Sequence, residues 1–283
     1  MENNEIKSRK EVVGLSVISF ISVTVIILIL FYHNGFAPFG NNSFACWDAN
    51  IDYLDIFAFL KDALSGKHGI GYSFSKVLGG NMLGVITTGY FSPLNLLLVF
   101  FDKAHLNDFF DIVVMLKYGI AAFTMAWFIN RRFNQINGAI SVALSVSYGL
   151  CQYNLAQASN IFFLEGMYML PLFMLGTYYI VRNNSPYLLV FCVGYNIAFG
   201  WYTGAMNCIF TVIWALFEFF WYGCEKKQTI KSFLLTIRTF IIAAISGLLI
   251  SMVFFYPTIL CLRKSTEGSL DFNLFKDSFS WTV

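Results

Sequence analysis

Long apolar runs separated by short polar stretches form the main pattern of this chain. The first runs from about Val12 to Tyr32. Six more lie near residues 110–130, 136–155, 161–181, 187–204, 205–222 and 233–256, although 187–222 can also be divided in other ways. A helix of about 20 apolar residues crosses a bilayer, whereas a membrane β-barrel needs short segments of alternating polarity. The pattern predicts an all-α polytopic membrane protein with about seven transmembrane helices.

Basic residues in the short connections predict how these helices are oriented. Lys and Arg favour cytoplasmic loops, and a cytoplasmic N-terminus places all the basic connections on that side. They contain Arg131 and Arg132, then Arg182, then Lys226, Lys227, Lys231 and Arg238. The predicted parts are a cytoplasmic N-terminus (1–11), a first transmembrane helix (12–32), an extracytoplasmic loop (33–109), six further helices (110–256) and an extracytoplasmic segment (257–283). Because the last segment ends without a closing helix, we expect the sequence to be the N-terminal part of a longer one.

The extracytoplasmic loop contains an amphipathic helix with an acidic face. In "CWDANIDYLDIFAFLKDAL" (46–64), helical spacing places four aspartates on one face and four apolar side chains on the other. The two sets are Asp48, Asp52, Asp55 and Asp62, and Tyr53, Phe57, Leu60 and Leu64. One interpretation is a solvated face lying along the membrane surface, with Asp48 as a helix cap. The other is a carboxylate site that acts on a substrate. The stretch Phe91–Phe101 is apolar but too short to span, which favours an interfacial or re-entrant segment.

Composition removes several classes of function. Apolar residues make up 58% of the chain and charged residues only 12%, well outside the range of soluble domains. A net charge of +2 gives no reason to expect nucleic-acid binding. The six cysteines and three histidines show no spacing typical of metal ligands or of a disulfide framework. We therefore predict no protein-bound metal site from sequence.

A few charged residues lie inside or beside the predicted spans. Lys117 and Glu165 are near the outer ends of the second and fourth spans, where an ionisable group usually marks a partner or a pathway. Arg263 and Lys264 follow the seventh span and are candidates for binding phosphate. The simpler interpretations are an interfacial side chain for Glu165 and an ordinary loop pair for Arg263 and Lys264. We interpret Glu218 as a side chain that reaches from its span to the membrane–water interface.

Several motifs in order resemble the YfhO family of bacterial membrane proteins, which are GT-C glycosyltransferases. They are "CWDANIDYLDIFAFLKDALSG", "YSFSKVLGGNMLG", "GYFSPLNLLLVFF", "NIFFLEGMYMLPLFMLG", "FGWYTGAMNCIFTVIWALF" and "AISGLLISMVFFYPTIL". The resemblance covers about residues 30–265. The family often has Asp where this chain has Glu165, and its members are much longer.

The resemblance implies a donor in which a sugar is linked to polyprenyl phosphate, used at the outer face of the bacterial cell membrane. The implied acceptor is a hydroxyl of a cell-surface polymer or lipid, as in teichoic acid glycosylation. Asp48 is then the general base, and Asp52 either orients the acceptor or makes Asp48 a stronger base through its like charge. Lys117, Arg263 and Lys264 are candidates for holding the phosphate, and Glu165 is a further substrate-binding candidate. The resemblance implies no certain cofactor, and a divalent cation is compatible with it.

Two other functions stay open from the sequence. One is a transporter or flippase of lipid-linked sugars, and the other is a non-catalytic truncated membrane protein. A transporter is expected to carry its acids near the middle of the bilayer, within broken helices in two repeated halves. The acids of this chain gather in a loop instead, which favours chemistry at the membrane surface.

Overall fold

The computed structural model describes residues 7–74, 79–133, 135–225 and 230–264. Within these residues, five helices are long and apolar enough to cross a membrane. They are α1 (Arg9–Asn34), α4 (Leu106–Arg132), α7 (Phe163–Asn183), α8 (Tyr187–Glu225) and α9 (Ile230–Lys264). The prediction of an all-α polytopic membrane protein is confirmed.

The bundle has two ends that differ in composition. At the basic end, Lys7 donates to the side-chain oxygen of Asn130 (2.5 Å) and Arg132 pairs with Glu218 (2.6 Å). The loop end is the opposite end, where residues 33–109 pack. Glu218 is fully buried against Arg132, so its interpretation as an interfacial side chain was wrong. Its partner lies 86 residues away on another helix, and no spacing in the sequence reveals that pairing.

Helix α8 folds back on itself at Gly200. The side chains of Asn196 and Asn207 are 2.8 Å apart, whereas 11 residues of straight helix would separate them by about 16 Å. A Cβ at Gly204 would lie 2.9 Å from the Asn196 carbonyl oxygen, so the crossing needs a glycine. α8 therefore consists of two legs, residues 187–199 and 201–225, which correspond to the predicted runs 187–204 and 205–222.

The two legs of α8 pack on different neighbours. In the first leg, Gly194 lies against Gly247 of α9. In the second leg, Trp214 donates to the Met174 carbonyl of α7 (3.2 Å), and Glu218 reaches Arg132 at the basic end. Because α8 begins and ends at the basic end, Gly200 lies at the loop end of the bundle.

Helix α5 (Gly138–Gly149) is shorter than the predicted run 136–155, and a short helix α6 (Gln152–Ala156) follows it. The side-chain amide of Asn154 donates to the Gly149 carbonyl (2.9 Å) and ends the hydrogen-bonding of α5. A Cβ at Gly149 would lie 3.0 Å from the Tyr118 carbonyl oxygen, so α5 is held close to α4. The amide of Asn154 thus turns the chain before a full span is complete.

Residues 33–74 and 79–109 form a folded layer on the loop end. The layer holds α2 (Leu54–Leu64), a two-stranded antiparallel sheet of β1 (Tyr72–Ser73) and β2 (Gly80–Asn81), and α3 (Leu83–Val85). A π-helical turn (Ile86–Tyr90) and a 3₁₀ helix (Pro93–Phe100) follow, bent by 106°. The bent pair has the composition of a broken span or a re-entrant loop, as expected for Phe91–Phe101.

Three hydrogen bonds fix this layer to the bundle. Asp111 of α4 accepts hydrogen bonds from the Ser43 hydroxyl and the Phe44 amide, both at 2.9 Å. Thr258 of α9 donates to the hydroxyl of Thr87 (3.0 Å). Helix α9 continues to Lys264, so residues 257–264 belong to it, and the rest of the predicted segment 257–283 lies outside the described residues.

Candidate functional site

The acidic helix begins with a turn that is not α-helical. Residues Ala49–Tyr53 form a π-helical turn that leads into α2. Asp48 precedes this turn with helical backbone angles (φ −57°, ψ −31°) and makes no capping hydrogen bond through its side chain. The interpretation of Asp48 as a helix cap is therefore wrong. Single π-helical turns are frequent at functional sites, because the extra residue redirects the side chains beside it.

The apolar face of this helix is the one that packs. Phe57 and Leu60 are completely buried, and the Phe57 ring lies 5.1 Å from Phe109 and 5.3 Å from Tyr90. Leu64 is 37% exposed, so the predicted apolar face ends one turn early. Asp48, Asp52 and Asp55 are exposed on the other side.

Asp62 differs from the other three aspartates. Lys67 (3.0 Å) and Lys103 both donate to its carboxylate, and these two hydrogen bonds hold the pKa of Asp62 below its usual value. A carboxylate held by two lysines is poorly suited to accept a substrate proton. Asp62 thus ties α2 to the start of α4.

Asp52 and Asp55 line a cleft between α2 and the segment that follows the hairpin. Its volume is about 380 Å³, which is enough for a monosaccharide unit. Its other lining residues are Ile56, Phe59, Ser73, Met82 and Val85. The cleft thus combines a carboxylate wall with an apolar floor. Asp55 lines the cleft although the sequence interpretation named only Asp48 and Asp52 of this face as catalytic residues.

An aromatic cluster lies beneath the π-helical turn at Ala49–Tyr53. The rings of Tyr53, Tyr90 and Phe162 are 4.6–5.9 Å apart, and the Tyr53 hydroxyl donates to Asn160 (3.3 Å). A Cβ at Gly89 would lie 2.8 Å from the Phe162 ring, so glycine is needed for this packing. Burial, and secondarily the charges of Asp48 and Asp52, raise the pKa of Tyr53, which remains a neutral hydrogen-bond donor.

Lys117 and Glu165 are paired with each other inside the bundle. Their side chains are 0% exposed and their charged atoms are 2.7 Å apart. Lys117 also donates to the Ile161 carbonyl (2.9 Å), and Tyr168 donates to the Glu165 carboxylate. The structure therefore brings together two of the predicted substrate-binding residues, but below the aromatic cluster and not in the cleft.

Arg263 and Lys264 end helix α9 beside the layer. Arg263 is exposed, and the side chain of Lys264 lies outside the described residues. Two residues before Arg263, the Cβ of Cys261 lies 2.3 Å from the position that a Cβ of Gly84 would occupy. Gly84 precedes Val85, which lines the cleft. The end of α9 is thus next to the wall of the cleft opposite α2.

A lateral groove of about 390 Å³ lies between the first leg of α8 and helix α9. It is lined by Tyr187, Val190, Phe191, Gly194, Tyr195, Ala198, Phe199, Ile250 and Phe254. Its walls are apolar apart from the tyrosine hydroxyls. At its loop end, Phe254 stacks on Phe91 of the bent pair (6.1 Å), and the Phe199 carbonyl faces Gly89. The groove therefore runs from the lipid-facing side of the bundle toward the aromatic cluster.

Trp47 is a further feature that sequence reasoning missed. It is 81% exposed, and its backbone is left-handed (φ 55°), which a bulky side chain rarely adopts. Such backbone positions concentrate at active sites and ligand-binding segments. The pattern of apolar positions contains no signal for it. Across the described ranges, no three His, Cys, Asp or Glu residues lie close enough to hold a metal ion.

Comparison with known proteins gives one finding. A family model described as bacterial membrane protein YfhO matches residues 19–282, nearly the whole chain. Neither the curated proteins nor the solved structures contain a significant match.

Proposed function

The chain belongs to the YfhO family of bacterial membrane proteins, and on that premise we propose that it is a membrane glycosyltransferase. It transfers a sugar from a polyprenyl-phosphate donor to a hydroxyl of a cell-surface polymer or lipid. The loop end faces the outside of the cell, and the basic end faces the cytoplasm, where Lys and Arg are favoured.

The observation that carries the proposal is the cleft with Asp52 and Asp55 on its wall, placed at one end of an apolar bundle. A transferase of this class needs water-exposed carboxylates for the acceptor and an apolar path for the lipid. Both are present at the loop end, because the lateral groove leads toward the aromatic cluster under the same π-helical turn. The prenyl chain occupies this groove, and the sugar reaches the cleft above.

The proposed reaction is a single displacement with inversion at the sugar carbon. The Asp48 carboxylate takes the proton of the acceptor hydroxyl while that oxygen bonds to the sugar carbon. The bond from this carbon to the phosphate oxygen breaks, and polyprenyl phosphate leaves with both electrons. Asp52 and Asp55 accept hydrogen bonds from the acceptor, and Arg263 and Lys264 hold the phosphate. A positioned general base contributes about 10²–10⁴-fold to such a rate.

Single amide substitutions test this assignment. The assay measures transfer of labelled hexoses from polyprenyl phosphate to isolated envelope polymer, using the full-length protein in nanodiscs. Asp48→Asn is expected to lower kcat by about 10²-fold or more, because only the base is lost. Asp52→Asn is expected mainly to raise KM. Asp62→Asn is the matched control, since its carboxylate is held by lysines, and it is expected to keep near-normal kcat. Near-normal transfer by Asp48→Asn would remove that residue from the mechanism.

A transporter of lipid-linked sugars is the second candidate. The bent pair of residues 83–100 favours it, because this pair also fits a broken span and transporters use discontinuous helices. The two functions separate in detergent solution. An enzyme forms glycosylated acceptor there, whereas transport requires two compartments. Product formed in detergent and lost in Asp48→Asn supports the transferase. Sugar movement across vesicle membranes without product supports the transporter.

A further inference from the structure

We infer that the buried Lys117–Glu165 pair is a positioning unit that holds the acid-bearing π-helical turn in place from below. The inference rests on the proposed function for its catalytic consequence only. Neither residue contacts the substrate in this account, and both act through the residues 157–162 that separate them from the cleft.

The Lys117–Glu165 pair is isolated from solvent and from the cleft. Both side chains are 0% exposed and their charged atoms are 2.7 Å apart, so neither charge is available to a ligand in the cleft. A buried ion pair is weak as a source of stability, because the loss of hydration of the two charges offsets their attraction. A role in fixing one arrangement of the surrounding chain explains its presence better.

Lys117 connects the pair to residues 157–162, which lie between the pair and the π-helical turn. Its ammonium group donates to the Ile161 carbonyl (2.9 Å), within residues 157–162. On one side of Ile161, Asn160 accepts from the Tyr53 hydroxyl (3.3 Å). On the other side, Phe162 packs against the Tyr53 ring (4.8 Å). One lysine bond therefore supports two of the contacts that hold Tyr53, the last residue of the π-helical turn beside Asp52.

Glu165 connects the pair to the lateral groove through two tyrosines. Tyr168 donates to the Glu165 carboxylate, and its oxygen lies 2.9 Å from the hydroxyl of Tyr195. Tyr195 lines the groove. A continuous series of polar contacts thus runs from the groove wall, through the ion pair, to the turn that carries the acids. The pair sets the height of the turn relative to the groove.

The test compares this pair with the Arg132–Glu218 pair, which is also buried but lies at the basic end. Lys117→Met and the double variant Lys117→Met/Glu165→Leu are made beside Glu218→Gln. Hydrogen–deuterium exchange of residues 49–53 and 157–162 is measured in the full-length protein, with thermal unfolding as the fold control. Both Lys117 variants are expected to exchange faster in these two segments, and Glu218→Gln is expected to leave them unchanged.

The kinetic prediction separates positioning from a merely structural role. The double variant removes both charges, so its thermal midpoint should recover relative to Lys117→Met. Its kcat should stay about 10–100-fold below wild type, because the bond to Ile161 is still missing and small displacements of catalytic groups are costly. Recovery of kcat together with stability, an increase in KM alone, or unchanged exchange at 49–53 would each overturn the inference. If the wild-type protein transfers no sugar, the proposed function fails, and the exchange data still decide the positioning role.

Discussion

At the scale of single residues, the acidic side chains of this protein differ in whether a basic side chain is paired with them. Asp62 is held by Lys67 and Lys103, Glu165 by Lys117, and Glu218 by Arg132. Asp48 and Asp55 are exposed, and Asp55 lines the cleft. Position along the sequence does not predict this division, because Asp48, Asp55 and Asp62 occupy the same helical face.

Asp62 gives a prediction about pH. Its folded-state pKa lies below the ordinary value of 3.8, so its bonds to lysine stabilise the fold above that pH and are lost as pH falls through the folded value. The difference in thermal midpoint between wild type and Asp62→Asn should be constant near neutral pH and shrink on acidification below about pH 4. High salt should shrink it as well, since the group is exposed. A difference that does not shrink on acidification would contradict the ion-pair explanation.

Single residues also show which parts of the candidate site can be predicted from the sequence. The acids at 48, 52, 55 and 62 and the ionisable residues Lys117 and Glu165 stand out because charge is rare in this chain. Their partners do not stand out, since Lys117 and Glu165 are on different helices and meet only after the bundle forms. Asn160 and Tyr53 carry no charge at all, and their contact joins residues 107 positions apart.

At the scale of elements, the fold of α8 depends on close contact between its two legs. A Cβ at Gly204 would lie 2.9 Å from the Asn196 carbonyl oxygen, which cannot move without breaking the first leg. Gly204→Ala is expected to destabilise the protein by about 1–3 kcal/mol, in the range of overpacked sites. Thermal or denaturant unfolding in detergent measures it.

Gly14 provides the matched control for that substitution. It lies in α1, and nothing would be within 4 Å of an added Cβ. Gly14→Ala should therefore be neutral or stabilise by up to about 1 kcal/mol through helix propensity. If Gly204→Ala were equally harmless, the legs of α8 would not be in the contact described here.

The elements that hydrophobic runs predict well are the long helices. The runs near 110–130, 161–181 and 233–256 each correspond to one helix. The ends are shifted by two to four residues, except that α9 continues to Lys264. The π-helical turn at Ala49–Tyr53 and the early end of α5 were not predicted. The π-helical turn depends on a tertiary contact between Tyr53 and Asn160, and the end of α5 depends on a local hydrogen bond from Asn154 to Gly149. A periodic pattern of apolar residues includes neither contact.

At the scale of the whole molecule, the proposed orientation makes a direct prediction. In a cysteine-free background, His68→Cys on the loop end should react with a membrane-impermeant thiol reagent added to intact cells. Gln135→Cys is the matched control, because it is also exposed but lies between α4 and α5 at the basic end. It should react only after the membrane is permeabilised. The reverse pattern would place the N-terminus outside and the cleft in the cytoplasm.

The early end of α5 has a consequence for the surrounding lipid. Its 12 residues rise about 18 Å, whereas the hydrocarbon layer is about 30 Å thick. Lipids on that flank must shorten or tilt their chains to match, which costs fractions of a kcal/mol per Å of mismatch. We therefore expect the bilayer to be thinner beside α5, with headgroups that lie deeper there than beside the longer helices α1, α4 and α9. An acceptor anchored in the outer leaflet would therefore approach the bundle at a lower membrane level on this side.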